Sequence, residues 1–168
     1  MAFEAYLKIK AKKQGDIKGL CRQNPYQDQI VINAYSWGID GSQESLSFQD
    51  LEKRSVVSGR RVHRPLIVRR DVDYVTPMVL MAMFSHEVLR EVELTIVGQE
   101  MSRPKMMTIA LSDAILTTVS HETEGWERPQ EFLHLIYNEI EFTTHDLDVK
   151  SGQNKGQAMA MDTVPRNP

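Results

Sequence analysis

At 168 residues the chain is close to the size of one ordinary domain, and 41% hydrophobic residues supply a core that needs no metal or disulfide. A single cysteine, Cys21, excludes an intramolecular disulfide framework and a Cys-rich zinc module, and a net charge of -3 argues against a chain built to coat nucleic acid. No apolar run approaches the roughly 20 residues that a membrane-spanning helix needs, and the charged, alternating N-terminus is unlike a cleavable signal peptide. The expectation is a soluble, cytoplasm-made protein with no membrane insertion.

Period-two alternation dominates the chain. Phe3, Ala5, Leu7 and Ile9 share one face, with Glu4, Tyr6, Lys8 and Lys10 opposite, which predicts a half-buried strand. Residues 12–29 are polar, contain Gly15, Gly19 and Asn24-Pro25, and read as a long loop. Residues 30–38 read as a second strand, β-branched and aromatic on both faces, followed by a turn at Asp40-Gly41-Ser42. Residues 43–61 are polar with scattered Leu46, Phe48, Leu51, Val56 and Val57, and predict an extended ribbon or excursion. Residues 64–70 give another strand, with Pro65 at its start or at an edge.

One helix is predicted, with Thr76 as N-cap, Pro77 in the first helical position and the apolar run from Met78 to Phe84 behind it. It ends near Ser85-His86-Glu87. Strands then return: Val92, Leu94 and Ile96 alternate with polar neighbours, as do Met107, Ile109 and Leu111, and a break near Ser112-Asp113 precedes residues 115–119. Residues 131–142 predict the longest strand, apolar on both sides in its middle. The chain thus divides into a β domain over 1–145 and a polar tail over 146–168, expected to be mobile unless a partner orders it. Seven or eight short strands and one helix point to a mainly β fold, an antiparallel sandwich or barrel.

Motifs for chemistry are sparse. His63, His86, His121, His134 and His145 are scattered, and His86-Glu87 and His121-Glu122 do not extend to H-E-x-x-H because Arg90 and Gly125 stand in the needed places. There is no G-x-S-x-G, Cys21 carries no local protease signature, and Glu91 and Glu93 read as a solvated strand face. The charge cluster Arg60-Arg61-Val62-His63-Arg64, with Arg69-Arg70, reads as a polar subunit contact rather than a nucleic-acid patch: Asp71 and Asp73 follow it, and stacking aromatics are missing nearby. The residues describe a protein that binds or assembles, with no catalytic, cofactor or metal site, and not an enzyme.

Four segments resemble Hcp, the tube-forming protein of bacterial type VI secretion systems. Met1-Ala2-Phe3-Glu4-Ala5-Tyr6-Leu7-Lys8-Ile9 is similar to the family's first strand. Ala34-Tyr35-Ser36-Trp37-Gly38 resembles the A-x-S-W-G ending of its second. Residues 66–77 resemble a strand, an acidic turn and a Thr-Pro helix start, and Leu111-Ser112-Asp113-Ala114-Ile115-Leu116 resembles the L-x-(D/E)-V-L-V step. The resemblance implies an antiparallel β-barrel of two curved sheets with one short flanking helix and an extended loop or hairpin. It also implies a homohexameric ring, stacking of rings into a hollow tube, and export without a signal peptide. Sheath proteins, a spike protein and small effectors in the lumen are the implied partners, and an effector chaperone or adaptor is the alternative role. On this resemblance Ser36, with Tyr35 and Trp37, is expected to form the inner wall of the lumen or its backing. Glu44, Ser45, Ser47, Gln49, Arg54, Arg60 and Arg61 are expected to make ring or stacking contacts.

Overall fold

A computed structural model describes residues 2–41, 61–148, 151 and 153–164. The first alternating segment forms β1 (Phe3–Ala11), whose Leu7, Ile9 and Ala11 are buried on one face. Tyr6, on the opposite face, is buried as well. Its ring stacks on Tyr26 at 4.6 Å, its hydroxyl donates to Glu4 Oε2 at 2.5 Å, and Arg103 Nη1 donates to it at 3.0 Å. Burial and the Glu4 carboxylate push the Tyr6 hydroxyl's pKa well up. The cover comes from residues 12–29, which hold β2 (Gly15–Ile17), paired with β1, and then double back. Gly19 N–H donates to Asp28 O at 2.7 Å, and a Cβ on Gly19 would fall 2.2 Å from Gln29 O, so this backbone crossing requires glycine.

The expected second strand is two strands. β3 (Ile30–Ile32) pairs antiparallel with β1, whereas β4 (Ala34–Ser36) pairs with β7 (Leu66–Asp71). Between them Asn33 N–H donates to Arg69 O at 2.8 Å, so the chain changes sheets at that residue. The remaining wall is β8 (Leu89–Gly98), β9 (Lys105–Glu122) and β10 (Gln130–Ile136). Pairing runs β3, β1, β8, β9, β10, β7, β4 and so returns to the 30–36 segment, closing an antiparallel barrel. Leu7, Leu66, Leu94, Ile109, Leu133 and Leu135 fill it and are fully buried.

Three further expectations change. The break near Ser112-Asp113 is a bend inside β9 rather than an end: Asp113 takes φ 50°, a left-handed conformation that Asp tolerates. Before the bend β9 pairs with β8 and with β11 (Glu139–Leu147), and after it with β10. Conversely, residues 131–142 are interrupted. Glu131, Leu133, Leu135 and Tyr137 point inward, but so does Ile140, and the chain absorbs the change of parity at Asn138, whose N–H donates to Ser112 O at 3.2 Å. Lastly, the polar tail contains β12 (Asn154–Thr163), paired with β11 from Glu139↔Thr163 to Leu147↔Asn154 and exposed along nearly all its length. The segment is as polar as its sequence suggests, yet the backbone ladder orders it.

β5 (Ile39–Gly41) and β6 (Arg61–His63) form a separate two-stranded ribbon. Residues 42–60, between them, lie outside the described residues.

The helix α1 (Thr76–Phe84) buries Thr76, Val79 and Ala82 and packs on β9. Thr76 is its first residue rather than its cap. Val75 takes the cap position, its N–H donating to Asp73 Oδ1 at 2.8 Å, while Thr76 Oγ1 accepts from the Asp73 N–H at 3.2 Å. Arg70, fully buried below this turn, meets Asp73 and lies 3.4 Å from Glu131, its register partner, which is also fully buried. His121 Nε2 completes the row, 3.0 Å from Glu131 Oε1. Arg70 therefore serves the interior and not an outer charge patch.

Glu87, just beyond α1, is buried and ties the helix exit to the turn after β1. It accepts from the Lys13 N–H, from the Gln14 N–H at 2.8 Å and from Gln14 Nε2 at 3.0 Å. Burial pushes its carboxyl up, but the Gln14 side chain and the two amides outweigh this and hold it below its ordinary value of 4.5. Glu87→Ala strands two backbone donors and is expected to lower the unfolding free energy by about 2 kcal/mol in urea titrations at neutral pH. Because the folded pKa is depressed, the part of this contribution that depends on the carboxylate's charge is present above 4.5 and fades as pH falls below it, so the gap between parent and variant narrows in acid.

Candidate assembly site

β4 carries two of the residues singled out for the lumen, Tyr35 and Ser36, and Trp37 follows it directly. Tyr35 and Ser36 are exposed, and Tyr35 borders an apolar groove of about 520 Å3 whose other walls include Phe3, Ala5, Met106 and Met107. Trp37 behaves differently. It is half-buried, packs against the core, and lies 4.5 Å from the Phe142 ring and 6.3 Å from His63. Ser36 and Tyr35 thus offer surface, while Trp37 backs them.

Trp37 leads into a polar cluster. Its Nε1–H donates to the Tyr137 hydroxyl at 2.5 Å, and that hydroxyl donates to Arg64 O at 3.2 Å. His63 Nδ1 is 3.2 Å from the same hydroxyl, with the two rings edge to face, and His63 Nε2 is 2.8 Å from Asp162 Oδ2. Arg61 closes the group with two parallel bonds to Asp162, Nε to Oδ2 and Nη2 to Oδ1, both 3.0 Å. The His63 hydrogen bond, with help from Arg61, holds the Asp162 carboxyl below the usual carboxylate range, while burial pushes Tyr137 up. Next to it, Arg64 donates twice to Asp40 at 2.8 Å.

Of the residues expected to make ring or stacking contacts, the structure describes Arg61, which it places on Asp162. Glu44, Ser45, Ser47, Gln49, Arg54 and Arg60 lie outside the described residues. Sequence reasoning missed Tyr137 and Asp162 as partners of His63. They stand 74 and 99 residues away from it, and no local motif marks such a pairing. Among the described residues no group of three or more His, Cys, Asp or Glu is placed to hold a metal ion.

The family model described as "Type VI secretion system effector, Hcp" matches residues 6–144. The chain belongs to the Hcp family. Among curated proteins it is similar to the Major exported protein of Pseudomonas aeruginosa, with 25% identity over 92% of this chain and 95% of that one. Among solved structures, an Hcp protein crystal structure superposes with a TM-score of 0.75 at 18% identity, covering 99% of this chain and 100% of the other. The secreted protein Hcp3 from Pseudomonas aeruginosa gives 0.68 at 21% identity, covering 98% and 100%. At these identities the superpositions establish the Hcp fold, a mainly β chain with one short helix.

The Tyr137 hydroxyl gives this Hcp-family chain a testable anchor. Tyr137→Phe leaves the Trp37 N–H and the Arg64 carbonyl without that partner. Chemical denaturation is expected to show a loss of about 1–3 kcal/mol, and an unchanged midpoint would assign the cluster no structural weight.

Proposed function

We propose that this chain is a structural subunit of a type VI secretion tube: six copies close head to tail into a ring, and rings stack into a hollow, exported tube. The observation that supports this best is β12. Ten residues long and exposed, it pairs with β11 along one edge, and among the described residues its other edge carries no strand. A row of open backbone donors and acceptors invites another strand, and a closed heterologous ring gives every copy the same completion while leaving no free end. Family membership and the exported relative support the same reading. On this reading the protein is made in the bacterial cytoplasm and leaves through the secretion machine, with sheath and spike proteins as further partners. Its role is architectural, not enzymatic.

Light scattering of the purified protein is expected to give about six times the chain mass, and particle images to show rings. A stable monomer across a wide concentration range, with no annular particles, overturns the proposal.

A second reading, a chaperone or adaptor that holds small effectors, is favoured by the groove beside Tyr35. Ser36 is exposed on the same short strand. Ser36→Glu is expected to preserve the oligomer mass and reduce co-purification of bound effector. Unchanged co-purification removes Ser36 from the cargo surface.

A further inference from the structure

The β5–β6 ribbon poses a question of stability. A lone two-stranded ribbon is marginal in water, and this one pairs over three residues from Ile39↔His63 to Gly41↔Arg61. Apolar burial does not seat it, because Ile39 and Val62 are exposed. The Arg64 side chain and N–H bond back to Asp40 and Gly38, within the ribbon's own base. What enters the body of the protein is His63, whose side chain is 3% exposed, while Arg61, at the ribbon's outer end, lies on the surface.

Both reach Asp162. This residue is also the one position of β12 that is not exposed. Two peripheral elements, a ribbon outside the barrel circuit and a terminal strand added to β11, therefore meet at one carboxylate. It accepts from His63 Nε2 and Arg61 Nε on Oδ2 and from Arg61 Nη2 on Oδ1. That carboxylate thus takes three hydrogen bonds from the ribbon, two of them from the planar guanidinium fork of Arg61 and one from the buried ring of His63. Tyr137 meets His63 from the barrel side, edge to face, which leaves Asp162 as the contact supplied by the strand.

We propose that Asp162 is a latch: through it the C-terminal strand β12 holds the β5–β6 ribbon, and with it both attachment points of residues 42–60, in one orientation against the barrel. β12 buries little surface, so its release is among the least costly openings of the fold, and it takes Asp162 away from the ribbon. By linkage the dependence runs both ways: a ribbon that lets go of Asp162 weakens the hold on β12. Every group belongs to a single chain, so the latch does not depend on the oligomeric reading.

Hydrogen–deuterium exchange on the full-length chain tests it. Asp162→Ala is expected to speed amide exchange in Ile39–Gly41 and Arg61–His63 by about tenfold while β8 stays protected. Asp162→Asn, which keeps the shape, serves if the alanine variant does not fold. In the reverse direction, Arg61→Ala is expected to speed exchange along β12. Thr163→Ala, at the neighbouring position of the strand, controls for simple fraying and is expected to leave the ribbon unchanged. Ribbon exchange that does not respond to Asp162, or that responds equally to Thr163→Ala, overturns the latch, as does a β12 indifferent to Arg61→Ala.

Discussion

The barrel exists because one short segment serves two sheets. β3 gives its hydrogen bonds to β1, β4 gives its own to β7, and Asn33 between them is fixed three ways: its N–H to Arg69 O at 2.8 Å, and its Nδ2 to Asp71 Oδ1 at 2.8 Å and Gln130 Oε1 at 3.0 Å. Without that crossover β1 and β7 would each present an open edge, and the inward rows of leucine and isoleucine would face each other across an unsealed gap. The bend in β9 at Asp113 is the counterpart on the other side, since it lets one strand pair with β8 and β11 in its first half and with β10 in its second. Everything peripheral, the helix, the ribbon and β12, is mounted on this closed wall.

Much of the wall was legible in the sequence, because a half-buried strand writes its burial directly into period-two alternation. Leu7 and Ile9 in β1 and Val92 and Leu94 in β8 are buried as their alternation predicts, although Phe3 is exposed and Tyr6 and Thr95 are buried on the opposite faces, and the Thr-Pro start placed α1 to within a residue of its beginning. The misses have a shared physical cause. Alternation reports which face is buried, not which neighbour supplies the hydrogen bonds, so it cannot show a strand changing sheets at Asn33 or resetting parity at Asn138. β12 was missed for the opposite reason. Its side chains are exposed, so it has no burial to record, and its order comes from a backbone ladder to β11 that is blind to side-chain type.

The site divides in the same way. Family membership was readable from short motifs, and Tyr35 and Ser36 lie on exposed surface beside a groove. Trp37 joins a cluster that only the folded chain assembles, from residues as far apart as Trp37 and Tyr137 or His63 and Asp162. The arginines read as an outward charge cluster are in part neutralised at home: Arg61 by Asp162, Arg64 by Asp40, Arg70 by Asp73 and Glu131. Local sequence shows the charge but not its partner, because those carboxylates arrive from other strands or across a turn.

The buried pair of Arg70 and Glu131 carries a consequence for chimeras of this barrel. Losing one member of such a pair strands the other in a medium that solvates it poorly, at a cost of about 3–5 kcal/mol, against a total stability of roughly 5–15 kcal/mol for an ordinary domain. Replacing both with apolar groups of matching volume carries no such penalty. The two positions are therefore coupled, with Asp73 and His121 as the flanking partners that soften the loss of either one. A chimera that splices a β7 carrying Arg70 onto a β10 lacking Glu131 should be markedly less stable than either parent although each half is sound in its own.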